Sequence, residues 1–232
     1  MHSWEVTPSE AIAIQKELRD RIVMQPPAGF APERIAGADI SMDRFSTVGF
    51  AGIVVIHRPT MATVEEASVT VEIRFPYIPG LLSFRELPAL EPVWTRLAVK
   101  PDVLIFDGVG YAHPRRLGLA CHGGLLFDVP SIGCAKSLLI GTHPPLGEER
   151  GATADLTDQG EVIGRVVRLR AGAKPVYVSV GHKIDLATAV DIVLSMSVGF
   201  REPETTRRAH RLVNALRIQA GNPHFIGENA LK

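Results

Sequence analysis

The residues whose types and positions could do chemistry are three carboxylates, Asp39, Glu86 and Asp107. Asp39 lies near the end of the predicted strand Arg34–Ser41, and Asp107 ends the apolar run that starts at Val103. Functional groups in mixed α/β sheets gather where central strands end, so the two aspartates converge if their strands are neighbours. Carboxylates held close together need a cation to offset their charge. Hard oxygen ligands suit Mg²⁺ or Mn²⁺, and the pattern therefore predicts a metal site.

Each carboxylate also has a purely structural interpretation. Asp39 could be a turn residue at the end of its strand, and Asp107 with Gly108 could form a plain turn. Glu86 fits a capping box with Ser83 at the start of a predicted helix. An apolar run that ends in an unused charge is costly to bury, so Asp107 is the strongest of the three candidates.

Two further features follow Asp107 in the sequence and could belong to the same site. Gly108 and Gly110 permit close approach of the backbone to a ligand, and His113 could bind substrate or transfer protons. The glycines lack the third glycine of a dinucleotide-binding loop, so no Rossmann fingerprint is predicted. Lys136 directly follows a short predicted strand, where it could neutralise a phosphate or a nearby carboxylate, or could simply be an exposed side chain.

The elements that must position these groups begin with a helix. Thr7, Pro8 and Glu10 supply its cap, and Pro26-Pro27 is predicted to stop it. Strands are predicted at 34–41, 47–57, 63–75, 103–107, 131–135, 162–169 and 176–180, and further helices at 83–97, 117–126, 185–197 and 203–220. Short links make the first three strands antiparallel neighbours. Residues 141–161 are polar and predicted to form turns, and the order as a whole indicates a mixed sheet covered by helices.

Composition limits the class of protein. The 232 residues, 46% of them hydrophobic and 22% charged, predict a single globular domain spanning residues 1–232. A net charge of zero argues against binding nucleic acid by bulk charge alone, although a local basic surface beside an acidic site would cancel in the sum. Cys121 and Cys134 lack zinc-site spacing and are predicted to be small buried thiols. With neither a signal peptide nor a membrane span in the sequence, a cytoplasmic protein is expected.

Four motifs in a fixed order give the chain a recognisable family resemblance. They are Gly37-Ala-Asp-Ile-Ser41, Pro76-Tyr-Ile-Pro-Gly-Leu-Leu-Ser-Phe-Arg-Glu86, Asp107-Gly-Val-Gly-Tyr-Ala-His-Pro-Arg-Arg-Leu-Gly-Leu-Ala120 and Gly133-Cys-Ala-Lys-Ser137. Over most of its length the sequence resembles the endonuclease V family of deoxyinosine 3′ endonucleases. The resemblance implies an α/β fold with a ribonuclease-H-like mixed sheet, in which three antiparallel strands are followed by parallel strands, flanked by helices.

The resemblance also implies roles for individual residues. Asp39, Glu86 and Asp107 would bind the catalytic Mg²⁺ or Mn²⁺, with Lys136 close to the scissile phosphate and His210 near the metals. Tyr77, Ile78 and Pro79 match the wedge that separates the strands at the lesion. The implied substrate-binding residues beyond the wedge are Gly80, Leu82, Arg85, Gly108, Gly110, His113 and Leu139, and all but Arg85 are candidates for the pocket that takes the flipped hypoxanthine.

The activity that the resemblance implies is metal-dependent hydrolysis of the second phosphodiester bond 3′ to a deaminated base in DNA, leaving 3′-OH and 5′-phosphate ends. The chain is expected to act as a monomer, away from membranes. One alternative is an inosine-specific endoribonuclease that acts on single-stranded RNA. A second is a binding protein that performs no chemistry, which the retained carboxylates and Lys136 argue against.

Overall fold

Eight strands make up the single sheet of the protein, whose structure is a computed structural model that describes residues 2–43 and 46–221. The strands are β1 (Arg34–Met42), β2 (Val48–His57), β3 (Ala62–Glu72), β4 (Val103–Phe106), β5 (Ser131–Ala135), β6 (Thr153–Asp158), β7 (Glu161–Val167) and β8 (Val176–His182). The helices are α1 (Pro8–Leu18), α2 (Leu82–Arg96), α3 (Leu119–Phe127), α4 (Leu186–Ser195) and α5 (Glu204–Ala220). The strand order is β3-β2-β1-β4-β5-β8-β7-β6.

The type of strand pairing changes twice across the sheet. β1, β2 and β3 pair antiparallel, β4 lies parallel to both β1 and β5, and β8, β7 and β6 return to antiparallel pairing. The predicted mixed sheet, with three antiparallel strands followed by parallel ones, is confirmed. Its parallel part is confined to the centre, where β1, β4 and β5 place their carboxyl ends at one edge.

Helices cover both faces of the sheet. The central strands are therefore buried on both sides, and their sequences are unbroken apolar runs. Ile35 and Val103 belong to the core layer that also contains side chains of α4 and α5. Their neighbours Ala36 and Leu104 point the other way, into the layer shared with α2 and α3. Alternate side chains along one strand thus serve two cores.

Helix α5 lies unusually close to β1, and Gly37 makes this possible. A Cβ atom added at Gly37 would overlap the backbone carbonyl carbon of Thr205 in the first turn of α5. The helix therefore rests directly on the strand that carries Asp39, with no side chain of Gly37 between them. This contact sets the height of α5 above the carboxyl ends of the central strands.

The first helix is shorter than predicted. Its capping box is confirmed, since Glu10 N donates to Thr7 Oγ1 and Thr7 N donates to Glu10 Oε2. However, α1 ends at Leu18 and one 3₁₀ turn follows, so the prediction that the helix continues to Pro26 is wrong. After the helix the chain is bound to the end of β8, since the Val23 carbonyl accepts from the backbone amide of Lys183, the residue after that strand, at 2.6 Å.

Residues 141–161, predicted to be polar and rich in turns, also contain strand β6, which the sequence analysis missed. β6 pairs with β7 at the edge of the sheet, and Gln159 and Gly160, at φ 53° and 81°, make the tight turn between the two strands. An edge strand buries little of its surface, so its sequence carries the polar residues of a loop.

Two compositional expectations can be compared with the structure. Cys121 and Cys134 are both buried and free, as predicted. Within residues 2–43 and 46–221, no helix has the length and apolar character needed to cross a membrane.

Candidate active site

Asp39 and Asp107 come together because their strands are parallel neighbours. The last paired residues of β1 and β4 are Ala38 and Phe106, and each aspartate is the next residue of its chain segment. Their side chains are mostly buried, with 14% of Asp39 and 21% of Asp107 exposed. The sequence predicted that the two aspartates converge if their strands are neighbours, and the strands are neighbours.

Glu86 belongs to the same group of charges. The alternative capping box with Ser83 is wrong, since α2 begins at Leu82 and its N-cap is Leu81, whose side chain cannot accept a hydrogen bond. Burial, followed by the negative charges of Asp39 and Asp107, raises the pKa of Glu86 to about 8. Glu86 is a partly buried carboxyl whose pKa depends on both aspartates, so it is part of the same acidic site.

Each aspartate is hydrogen-bonded to one basic side chain, Asp39 to His210 and Asp107 to Lys136. Burial raises the pKa of both Asp39 and Asp107 above its ordinary value. Hydrogen bonding from His210 partly offsets this rise of the pKa at Asp39, and hydrogen bonding from Lys136 does so at Asp107. The site therefore holds its carboxylates in a setting that favours a nearby positive charge.

His210 reaches Asp39 from helix α5. Its Nδ1 donates to Asp39 Oδ2 at 2.8 Å, while its Nε2 accepts from the amide of Asn214 at 2.8 Å. The amide is itself oriented by Ser41, whose hydroxyl donates to Asn214 Oδ1 at 2.7 Å. These contacts fix the histidine tautomer and make His210 a direct partner of the carboxylate. Sequence reasoning missed Asn214 and Ser41, because only the fold brings their segments together.

Lys136 lies between Asp107 and Glu202, and these three side chains are called the charged row. Its Nζ lies 2.6 Å from Asp107 Oδ2 and 3.2 Å from Glu202 Oε2. Burial lowers the pKa of Lys136, but the hydrogen bonds and charges of the two carboxylates outweigh it and raise the pKa overall. The ammonium group is thus held at the site, and the alternative of a plain surface lysine does not describe it. Glu202, which sequence analysis missed, stands in a loop before Pro203 with no motif around it.

The carboxylates suit a hard divalent cation by their chemistry. Asp39, Glu86 and Asp107 offer only oxygen ligands, and their pKa values are raised first by burial and then by neighbouring carboxylates, whose charge a cation would offset. In the part of the chain that the structure describes, no three His, Cys, Asp or Glu side chains are grouped closely enough to hold a metal ion as they stand.

A pocket of about 270 Å³ opens beside Asp107 and Lys136. It extends to the loop at residues 76–80, where Tyr77 is 70% exposed. The predicted substrate-binding residues that line it are Tyr77, Ile78, Pro79, Gly80, Leu82, Gly108, His113 and Leu139. The loop, the pocket and the charged row are therefore contiguous.

Two predicted substrate-binding residues lie elsewhere. Gly110 packs inside the fold, where its amide donates to Ser179 Oγ at 2.8 Å and an added Cβ would overlap the carbonyl oxygen of Val180. That amide is engaged by the protein and does not face the pocket. Arg85 donates to the carbonyl of Phe75 at 2.6 Å and lines a separate groove that it shares with Glu86.

Sequence reasoning also missed Gln15, which lines the pocket from helix α1. A signal was available: Ala11, Gln15 and Leu18 fall on one face of the helix at helical spacing, and all three are buried. A glutamine in an apolar stripe needs hydrogen-bond partners inside the protein, and such a position predicts a functional or structural contact.

Comparisons with known proteins agree with this arrangement. A family model described as Endonuclease V matches residues 16–211. The chain is 62% identical over 218 residues to a protein named Endonuclease V from Myxococcus xanthus, covering 94% of this chain and 93% of that protein.

Solved structures share the fold as well. The crystal structure of the Endonuclease V from Streptomyces avermitilis superposes with a TM-score of 0.89 at 40% identity, covering 95% of this chain and 97% of that one. Endonuclease V of Ciona intestinalis, solved in complex with a 24mer DNA containing an inosine followed by a ribo-adenosine, gives a TM-score of 0.79 at 28% identity over 91% and 98% of the two chains. With its acidic strand ends, its lysine and its loop-lined pocket on the fold these proteins share, the chain belongs to the endonuclease V family.

Proposed function

We propose that the protein is a divalent-metal-dependent endonuclease of DNA repair that recognises deaminated bases, chiefly inosine, and hydrolyses the second phosphodiester bond 3′ to the lesion. The observation that carries the proposal is the continuity of the site. The pocket begins at Asp107 and Lys136 and ends at the exposed Tyr77 loop. A base held in the pocket would leave its own strand running past the charged row.

Asp39, Glu86 and Asp107 would hold the cation, Mg²⁺ by preference or Mn²⁺ in its place. When bound, such an ion supplies positive charge and Lewis acidity at the scissile phosphate. The protein's own contribution is the placement of Lys136. Its ammonium group, held between Asp107 and Glu202, offsets negative charge that develops on the phosphate.

The pocket suits a single base better than a duplex. Its volume of about 270 Å³ is just below the range for small-molecule sites, which starts at roughly 300 Å³. Ile78, Leu82 and Leu139 give it an apolar wall. A deaminated purine pairs weakly, so turning it out of the helix costs less than turning out a normal base. The stiff loop with Pro76 and Pro79 would fill the gap that the base leaves.

A second substrate has one specific observation in its favour. The Ciona intestinalis protein was solved with a ribo-adenosine directly after the inosine, so a relative accommodates a ribonucleotide at that position. An inosine-specific endoribonuclease acting on single-stranded RNA therefore stays as the alternative. Matched DNA and RNA oligonucleotides with one inosine decide between them, because only the 2′-OH differs at the sites of contact. A monomer in the cytoplasm remains the prediction from sequence.

The test of the proposed function is a nicking assay on a duplex with one inosine, with and without Mg²⁺, in which the cut position is mapped. We expect one nick, at the second phosphodiester 3′ of inosine, only when the metal is present. Asp107→Ala should abolish cutting and preserve lesion binding. Its matched control is Asp102→Ala at the opposite end of β4, where the carboxylate binds Arg34. Protein that binds inosine DNA in Mg²⁺ and leaves it uncut would instead be a binding protein.

A further inference from the structure

The carbonyl oxygen of Gly80, at the end of the exposed loop, accepts hydrogen bonds from three side chains. Gln15 Nε2 donates at 3.0 Å, His113 Nε2 at 3.0 Å and Arg115 Nη2 at 2.7 Å. A carbonyl oxygen has two lone pairs, so three donors saturate it. We name Gln15, His113 and Arg115 the Gly80 clamp.

Gln15 ties the clamp together from within the core. Its side chain is 1% exposed, and besides Gly80 its Nε2 donates to the carbonyl of Leu117 at 3.0 Å. Its Oε1 accepts from Arg115 Nε at 2.6 Å. A buried amide with every contact satisfied holds one orientation, because any other leaves polar atoms without partners.

His113 serves the same contact. Its Nδ1 accepts from the backbone amide of Arg115 at 3.2 Å, so Nε2 carries the proton that is donated to Gly80. Burial, and then the charge of Arg115, lowers the pKa of His113 to about 4, which leaves the ring neutral in neutral solution. Both ring nitrogens are engaged by the protein, and the histidine holds the loop although it also lines the pocket.

The loop needs such an anchor because its tip is exposed. Tyr77 is 70% exposed, and Gly80 turns the chain with φ at +79°. A side chain that displaces a base pair must be held in place beforehand, or the cost of ordering it is added to every binding event. The clamp binds the loop at Gly80, three residues from Tyr77, and its Gln15 side chain is buried.

We propose that Gln15 and Arg115 are positioning residues that hold the residue 76–80 loop in its strand-separating conformation through the Gly80 carbonyl. They thereby set how well the enzyme cuts inosine in a duplex compared with inosine in a single strand. This inference rests on the proposed function. Single-stranded substrate needs no strand separation, so it reports on the catalytic site without the loop's task.

The experiment measures kcat/KM on two substrates of the same sequence, an inosine duplex and its inosine-bearing strand alone, with Mg²⁺. Gln15→Leu removes all three contacts of the amide, and we expect the duplex-to-single-strand ratio of kcat/KM to fall at least tenfold. Gln15→Glu keeps the shape and the oxygen that faces Arg115 but cannot donate as a carboxylate, so it should lower the ratio in the same direction. Thr7→Ala weakens the cap of the same helix without touching the clamp, and should leave the ratio unchanged.

The outcomes are distinct. If wild-type protein cuts neither substrate, the proposed function fails. If wild-type protein cuts both, and the two Gln15 variants keep the wild-type ratio while thermal unfolding shows them folded, the positioning role is refuted. If Thr7→Ala lowers the ratio as much as Gln15→Leu, the effect belongs to general loosening of α1, and the inference is again wrong.

Discussion

Replacing Glu86 with glutamine should stabilise the metal-free protein while destroying its activity. Glu86 is the carboxyl whose pKa is raised to about 8, by burial and then by the charges of Asp39 and Asp107. Glutamine has nearly the same shape and no charge, so it removes the repulsion and the cost of burying an ionised group. It also removes one of the three carboxylates proposed to hold the cation.

The size of the effect follows from the two titrations. The ordinary pKa of the carboxyl is 4.5, and the folded value is about 8. Between these values the folded chain binds more protons at Glu86 than the unfolded chain, so the free energy of unfolding falls as pH rises through that window. From pH 5 to pH 7 the fall amounts to roughly 2–3 kcal/mol. Glu86→Gln removes this pH-dependent loss.

Urea denaturation in EDTA at pH 5 and pH 7 measures it. The difference in free energy of unfolding between Glu86→Gln and wild type should be roughly 2–3 kcal/mol more favourable to the variant at pH 7 than at pH 5. Asp102→Asn is the matched control: although burial raises its pKa, hydrogen bonds from Arg34 and Glu33 hold the pKa of Asp102 below its ordinary value of 3.8. That carboxyl is ionised in the folded and the unfolded chain at both pH 5 and pH 7, so Asp102→Asn should change the free energy of unfolding equally at the two pH values. An equal effect of Glu86→Gln at both pH values would refute the reasoning, as would Mg²⁺-dependent cutting at the wild-type rate.

Three further predictions concern the backbone contacts and the histidine. Gly37→Ala should lower the free energy of unfolding by about 1–3 kcal/mol in urea, because the new Cβ overlaps Thr205 and lifts α5; wild-type stability would contradict this. His210→Ala should lower kcat about tenfold and leave Tm within about 2 °C, since the ring is half exposed; an unchanged kcat would separate it from the reaction. Gly80→Ala should cost about 1 kcal/mol in thermal unfolding, because φ is +79° there; a variant as stable as wild type would show that the loop adapts.

The central strands and the two aspartates were predictable because their signals are local. The apolar run before Asp107 predicted a buried strand, which the structure confirms, and it made Asp107 the strongest of the three candidate carboxylates. The edge strand β6 was not predictable in the same way, because its burial is slight and its composition is that of a loop. The contact between Val23 and Lys183 that follows α1 joins segments far apart in sequence, so local signals did not predict it.

In the site, too, local signals were predictable and contacts between distant segments were not. Motifs in the sequence nominated Glu86 and Lys136, but the positions of their partners required the fold. Glu202 has no motif around it, and Gln15 becomes visible only as a polar residue in an apolar stripe. Gly110 was nominated for the pocket because glycine permits close approach to a ligand, whereas the structure shows close approach to β8 instead. A glycine indicates close packing at its position, but the fold is needed to identify the neighbouring group.

The seat of α5 on Gly37 has a consequence for the synthesis of the protein. His210 and its partner Asp39 are 171 residues apart, and α5 is the last helix of the described chain. A ribosome therefore has to make the chain as far as α5 before the histidine can reach the carboxylate. We expect a nascent or truncated chain that lacks α5 to cut inosine DNA more slowly than the longer chain, because Asp39 then lacks its partner His210.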